Sequence, residues 1–156
     1  MTTAYVLLGS NVNPEENLRR AVELLGEQVI LTGISAVFES APVGYREQPC
    51  FLNAIVSLET DLSPTRLLKA VLRPVEAALG RVRTRNKYGP RTIDLDIILY
   101  GERRLVCGGR RIPDPDLVRL AHVACPMADL APDLVHPETG DTMREIAVRV
   151  DSGGIA

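Results

Sequence analysis

Residues 4–8 read Ala4-Tyr5-Val6-Leu7-Leu8, apolar at every position. A strand alternates its side chains between two faces, so a strand with no polar face belongs in the middle of a sheet. Gly9-Ser10-Asn11 breaks it. Asn13 then stands as a helix cap, with Pro14 at the first helical position and Glu16 three residues after the cap. Leu18, Ala21, Val22 and Leu25 follow at i, i+3, i+4 and i+7, one apolar stripe, and Gly26 is the expected stop.

Val29 to Phe38 reads as a second strand interrupted by Gly33. A loop punctuated by Pro42, Gly44 and Pro49 follows, then a third strand from about Phe51 to Glu59 with Leu52, Ala54, Val56 and Leu58 on its inner face. Ser63-Pro64 opens a second helix carrying Leu67, Leu68, Val71, Leu72, Val75 and Leu79. Pro74 in its middle predicts a kink near Ala70, and Gly80 ends it. The fourth strand is Thr92 to Tyr100, with Ile93, Leu95, Ile97 and Leu99 on one face. A hairpin turning at Gly108-Gly109 comes next, then short helices at about His122 to Leu130 and Thr142 to Val150. The order β-α-β-β-α-β predicts an α+β fold of the ferredoxin-like kind. Its antiparallel sheet carries two helices on one face, with a C-terminal hairpin and short helices added.

The chain's 156 residues fit one domain spanning 1–156. No apolar run approaches the roughly 20 residues of a membrane span, and the N-terminus carries no secretory signature. Three cysteines (Cys50, Cys107, Cys125) fit neither a disulfide framework nor a metal motif, so the cytoplasm is the expected compartment. A net charge of -2 argues against a bulk nucleic-acid binder, and no membrane partner is expected. Yet nine of the 18 basic residues lie between Arg81 and Arg111, against three acids, Asp94, Asp96 and Glu102. That stretch calls for an anion.

Asp94-Leu95-Asp96 is the strongest local signal. On a strand, residues i and i+2 share a face, roughly 6.6 Å apart at the backbone. Two adjacent carboxylates repel unless a cation lies between them or one is protonated. Their hard oxygens suit Mg²⁺, which takes few carboxylates plus substrate phosphates; the plain alternative is a solvated polar face. Just upstream, Arg81, Arg83, Arg85, Lys87 and Arg91 fall within eleven residues that contain no acid. A polyphosphate would neutralise them. The loop alone could equally hold RNA phosphates; the carboxylate pair favours a metal-bound nucleotide. Neither a P-loop nor a GxGxxG motif is present. Phe51 and Asn53 share a strand face, where a ring and an amide could read a flat heterocycle or simply be exposed.

Gly9-Ser10-Asn11, Pro49-Cys50-Phe51-Leu52-Asn53-Ala54, Gly80-Arg81-Val82-Arg83, Ala131-Pro132-Asp133-Leu134-Val135-His136-Pro137 and, above all, the run from Gly89-Pro90-Arg91-Thr92 through Ile97 resemble the 6-hydroxymethyl-7,8-dihydropterin pyrophosphokinase family. The resemblance covers nearly the whole chain. It implies transfer of the β,γ-diphosphoryl group of ATP to the hydroxymethyl oxygen of a reduced pterin, with release of AMP, in folate biosynthesis. Two Mg²⁺ ions would bridge ATP to Asp94 and Asp96. Arg81 and Arg91 would act on the phosphates, and Asp96 is the nearest acceptor for the alcohol proton. The nucleotide set it implies is Glu76, Arg81, Arg83, Lys87, Arg91, Ile97, Arg111 and Arg119, within and beside a loop that closes on ATP. The pterin set is Gly9, Ala41, Pro42, Val43, Phe51, Asn53, Asp94 and His122. A monomer is expected.

The chain also departs from that family. Where an Ile-Pro-His-Pro box is usual it has Ile112-Pro113-Asp114-Pro115, so a phosphate-contacting histidine becomes Asp114. A later arginine falls on Leu120 beside Arg119, a stacking aromatic on His122 and a loop tryptophan on Tyr88. Two rival readings stay open at this point: a non-catalytic relative that binds pterin or nucleotide, and a ferredoxin-like RNA-binding module. The second has little aromatic surface to use, with only six Phe and Tyr residues in the chain.

Overall fold

The computed structural model describes residues 1–42, 47–81 and 92–153. Strand β1 (Thr2–Ser10) leads into helix α1 (Pro14–Gln28), then β2 (Ile30–Ile34), β3 (Phe38–Ser40) and β4 (Phe51–Thr60). Helix α2 is three consecutive stretches, Pro64–Arg66, Leu67–Leu72 and Arg73–Ala78. Strand β5 (Asp94–Tyr100) follows, then a hairpin of β6 (Leu105–Cys107) and β7 (Arg110–Ile112) and a 3-10 turn (Pro115–Val118). Helices α3 (Ala121–Leu130) and α4 (Met143–Gly153) close the chain.

The main sheet is antiparallel, in the order β2-β4-β1-β5, with β3 beside β2 along the same side of β4. β1 is therefore central, as its two apolar faces require. One face is covered by α1 and α2, which set Leu18, Ala21, Leu25, Leu67 and Leu72 against Val6, Leu8, Val56, Leu58 and Leu95. The other is covered by α3 and α4, whose Val123, Met127, Met143 and Ile146 pack on Ile55, Ile98 and Leu99. This is a mixed α/β fold whose short C-terminal helices supply the second layer.

Four local expectations are corrected. Spacing alone puts Leu99 on the face of Ile93, Leu95 and Ile97. A bulge intervenes: Tyr5 pairs with Leu99 but Val6 pairs with Ile97, leaving Ile98 over. An extra residue resets the alternation, so Leu99 joins Ile98 in the α3–α4 layer while Tyr100 turns to the first layer. Asn13 does not cap α1 with its side chain; it lies in the left-handed region at φ 42. Capping needs an extended cap residue, and here Glu16 pairs with Arg19 instead. Gly26 does not stop α1, which runs to Gln28; an interior glycine weakens a helix by about 1 kcal/mol but does not bar it. Before Pro74, at the place where the kink is expected, Leu67–Leu72 widens into a π-helical turn around Ala70, and Arg73 N–H donates to Leu68 O, five residues back. The second strand is two strands: Ser35 still donates its N–H to Ile55 O on β4 at 2.9 Å, but its Oγ and not its backbone accepts Ile55 N–H, and the ladder stops. There Ala36 N–H donates to Asp129 Oδ2 on α3 at 2.8 Å. The β6–β7 turn does use Gly108 and Gly109, both at positive φ.

Candidate active site

Strand register assembles the site. Asn53 on β4 pairs with Gly9 on β1, and Gly9 pairs with Asp94 on β5. Paired residues share a face, so amide, glycine and carboxylate form one row across three strands, roughly 10 Å from end to end. Gly9 is the floor of that row. A Cβ there would meet Asn53 Oδ1 at 3.3 Å. Asn53 is 4% exposed, and its Nδ2 donates to Ser40 Oγ at 2.8 Å and to Phe38 O at 3.1 Å. Both amide protons are thereby used within the protein, leaving the carbonyl oxygen as the part of Asn53 aimed into the row. Phe51, two residues earlier and half-buried, lies on the same face.

The neighbouring loops are pinned to the same end of the sheet. Asn11 Nδ2 donates to Gln48 Oε1 at 2.6 Å and to Pro49 O at 3.1 Å, fixing the approach to β4. Ser10 Oγ donates to Thr92 O at 2.6 Å, fixing the approach to β5. Gly80, at φ 84, closes α2: its N–H donates to Ala77 O while Arg81 N–H donates to Glu76 O. That pair of bonds is a Schellman cap, for which a left-handed glycine is suited. The cap delivers Arg81 to the row, where its Nε lies 3.5 Å from Asp94 Oδ1.

Asp96, next along the same face, is pushed up to about 6, chiefly by burial and then by the charge of Asp94; Arg110 and Arg73 oppose the shift. Repulsion of this kind is what a divalent cation relieves. Among the described residues no three His, Cys, Asp or Glu groups converge as a metal cage. The donor set instead fits an ion that takes two carboxylates and completes its shell with substrate oxygens and water, as Mg²⁺ does.

Glu76 stands behind β5, 2% exposed. Its Oε2 accepts Leu95 N–H at 2.8 Å and its Oε1 accepts from Arg73 Nη1 at 2.9 Å, and the same Nη1 also donates to Leu95 O at 3.2 Å. β5 is an edge strand, and these two side chains satisfy its outward backbone groups at Leu95. Ile97 is buried and lines a cavity with Leu68, Arg73, Asp96, Cys107 and Arg110. Ala41 is exposed and Pro42 partly so. His122 lies in the first turn of α3, a helix that packs against β3 and β4, and burial holds its pKa below the usual value despite Asp116.

Register thus brings together Gly9, Asn53, Phe51, Asp94 and Asp96, with Arg81 against them. Arg111 and Arg119 are exposed, in surface ion pairs with Glu138 (2.8 Å) and Asp116 (3.8 Å). Val43, Arg83, Lys87 and Arg91, and the loop expected to close on ATP, lie outside the described residues. The sequence reading missed Arg110, Arg73 and the Asn11–Gln48 clamp. Only the clamp left a trace, as an unexplained Asn after the first strand.

A model of the family "7,8-dihydro-6-hydroxymethylpterin-pyrophosphokinase (HPPK)" matches residues 5–132. The chain is 39% identical over 142 residues to the 2-amino-4-hydroxy-6-hydroxymethyldihydropteridine pyrophosphokinase of Haemophilus influenzae, covering 89% of this chain and 88% of that protein. It is 37% identical to the folic acid synthesis protein fol1 of Schizosaccharomyces pombe, covering 97% of this chain but 21% of that longer protein. Among solved structures it resembles wild-type Plasmodium falciparum HPPK-DHPS, with a TM-score of 0.74 at 11% identity, over 97% of this chain and 45% of the other.

Proposed function

The chain belongs to the 7,8-dihydro-6-hydroxymethylpterin-pyrophosphokinase family, and from that premise we propose how its residues divide the reaction. The activity is a diphosphokinase's, in folate biosynthesis: the β,γ-diphosphoryl group of ATP passes to the hydroxymethyl group of 6-hydroxymethyl-7,8-dihydropterin and AMP leaves. The row Asn53–Gly9–Asp94 carries the assignment of residues. A flat heterocycle laid on Gly9 presents a ring N–H to Asn53 Oδ1 at one end and its hydroxymethyl arm to Asp94 at the other. Phe51 offers one stacking face and His122 a second, with backbone groups of Ala41, Pro42 and Val43 along the edge.

Asp94 and Asp96 would hold Mg²⁺, two ions in this reading, and bound Mg²⁺ would supply acidification and alignment of the attacking alcohol. Arg81, fixed at the end of α2, contributes positive charge toward the transferring group, and Arg91, Arg83 and Lys87 extend it. Asp96 is the proposed acceptor for the alcohol proton. Glu76 and Ile97 form the nucleotide side of the site. Arg111 and Arg119 join by leaving surface ion pairs worth at most about 1 kcal/mol. The same reading takes the chain as one ferredoxin-like domain, monomeric and cytoplasmic, with neither nucleic acid nor membrane as partner.

Incubation with ATP, Mg²⁺ and the pterin tests it. AMP release that depends on the pterin is expected. Binding of both substrates without AMP would reduce the chain to a non-catalytic relative, and RNA binding with neither would make it an RNA module.

A further inference from the structure

Sequence reading places the cation of the β6–β7 hairpin at Arg111. Register sets its neighbour Arg110 on the opposite face of the hairpin. Cys107 pairs with Arg110 and Leu105 with Ile112; Cys107 and Ile112 are buried, and Arg110 lies on their face with its side chain 48% exposed, whereas Arg111 pairs with exposed Val106 on the other face. Arg110 therefore belongs to the cavity that also holds Asp96, Arg73 and Ile97, and Asp96's charge is felt at its guanidinium.

A buried carboxylate holds it there. Asp114 is 2% exposed, and its Oδ2 accepts from Arg110 Nη2 at 2.6 Å. Its other oxygen accepts Asp116 N–H at 2.9 Å, and its own N–H donates to Ile98 O at 2.9 Å. Asp114 is thus tied to β5 through its backbone and to the 3-10 turn through Oδ1, which leaves Oδ2 for the guanidinium. Asp116 approaches the same Nη2, at 3.7 Å. Both carboxylates sit on one corner of the fork. Nε and Nη1 have no partner among the described residues.

Resting on the function proposed above, we propose that Arg110 is a phosphate-binding residue for the nucleotide and that Asp114 is its positioning residue. A guanidinium with one nitrogen committed to a buried carboxylate keeps two further donors in fixed directions, which suits a non-bridging phosphate oxygen. Neutralising Asp114 explains the 2.6 Å pair alone; it does not explain a cation set in the wall of the Asp96 cavity. Asp114, which stands where the family has histidine, thereby contributes an arginine to the site instead of an imidazole.

Removing Arg110 alone would orphan a buried charge, so the informative variant is Arg110→Leu with Asp114→Asn, which removes both charges. Calorimetric titration with Mg²⁺ and an unhydrolysable ATP analogue should show about tenfold weaker binding, the size of one charge-assisted hydrogen bond. Affinity for adenosine, which carries no phosphate, should not change. Asp114→Asn alone should weaken the analogue by about threefold, an effect that vanishes once Arg110 is leucine. Arg110→Lys should recover part of the loss. Analogue affinity equal to the parent's in the double variant, or an equal loss for adenosine, overturns the proposal while pterin-dependent AMP release by the parent leaves the activity standing. Arg110-dependent analogue binding by a parent that releases no AMP keeps Arg110 and removes the activity. A parent that binds no analogue removes both.

Discussion

Glu76 Oε2 accepts the backbone N–H of Leu95 at 2.8 Å, so a helix carboxylate clamps β5 at the residue between the two site aspartates. Leu95 points into the first apolar layer while Asp94 and Asp96 point the other way, and one bond sets the path of all three. Glu76→Ala leaves the Leu95 N–H and the Arg73 guanidinium without that acceptor. The expected cost is about 1–3 kcal/mol, a fall of roughly 2–10 °C in melting temperature. Glu76→Gln keeps an acceptor and should lose less. Equal melting of Glu76→Ala and the parent would refute the clamp.

Asp94→Ala and Asp96→Ala should each lower turnover by roughly 100-fold or more, since each removes a carboxylate that the proposed function sets beside the transferring group. Neither should unfold the protein, because each relieves a repelling pair. Turnover with unchanged Mg²⁺ dependence in both would remove the metal assignment.

The carboxyl pair also sets a pH dependence. Asp96 is raised to about 6 from 3.8, so the folded protein holds a proton there that the unfolded chain has lost. Its contribution to stability is full below about pH 4 and disappears as pH rises through 6. Mg²⁺ must displace that proton, so Mg²⁺ affinity should climb up to about tenfold per unit from pH 5 to 6 and level above 7. Mg²⁺ titrations across that range check it; an affinity flat from pH 5 to 7 would show that Asp96 is already ionised.

Gly9→Ala should fold, since β1 is extended there, but its methyl group would stand 3.3 Å from Asn53 Oδ1 on the floor of the row. About tenfold weaker pterin binding with little change in ATP-analogue affinity is expected, roughly one lost hydrogen bond. A loss shared by both ligands would mean general distortion.

His122 tests the second face of the heterocycle. Burial holds its pKa below 6.5, so the ring is neutral at pH 7, and any fall in pterin affinity from protonating it should come below pH 6.5. His122→Phe should abolish that fall and keep affinity. Parent-like pterin binding by His122→Ala would place the ring outside the pocket.

Residues whose chemistry depends on strand alternation were legible in the chain: Asp94 with Asp96, Phe51 with Asn53, and the apolar faces of β1 and β4. Alternation survives wherever a strand is regular, and it misled at Leu99 because a bulge leaves no compositional mark. Asn13 and Gly26 obey statistical preferences that tertiary packing outweighs by amounts near 1 kcal/mol. Arg110 was hidden for another reason. Two adjacent arginines are chemically equivalent in a sequence, and only the pairing of Cys107 with Arg110 tells which one shares the face of Cys107. The clamp at Leu95 joins residues nineteen positions apart and has no local signature.

The Schellman cap at Gly80 and the Ser10–Thr92 bond have a consequence for the chain's freedom to vary. Arg81 is fixed at one end and Thr92 at the other, and Arg81 already touches Asp94 at 3.5 Å. Both residues that flank positions 82–91 are therefore fixed to the fold. Doubling such a loop costs only about 0.6 kcal/mol of closure entropy. Insertions there should melt like the parent while changing how the basic residues reach the phosphates, so length in this segment can be selected for catalysis with folding almost indifferent to it.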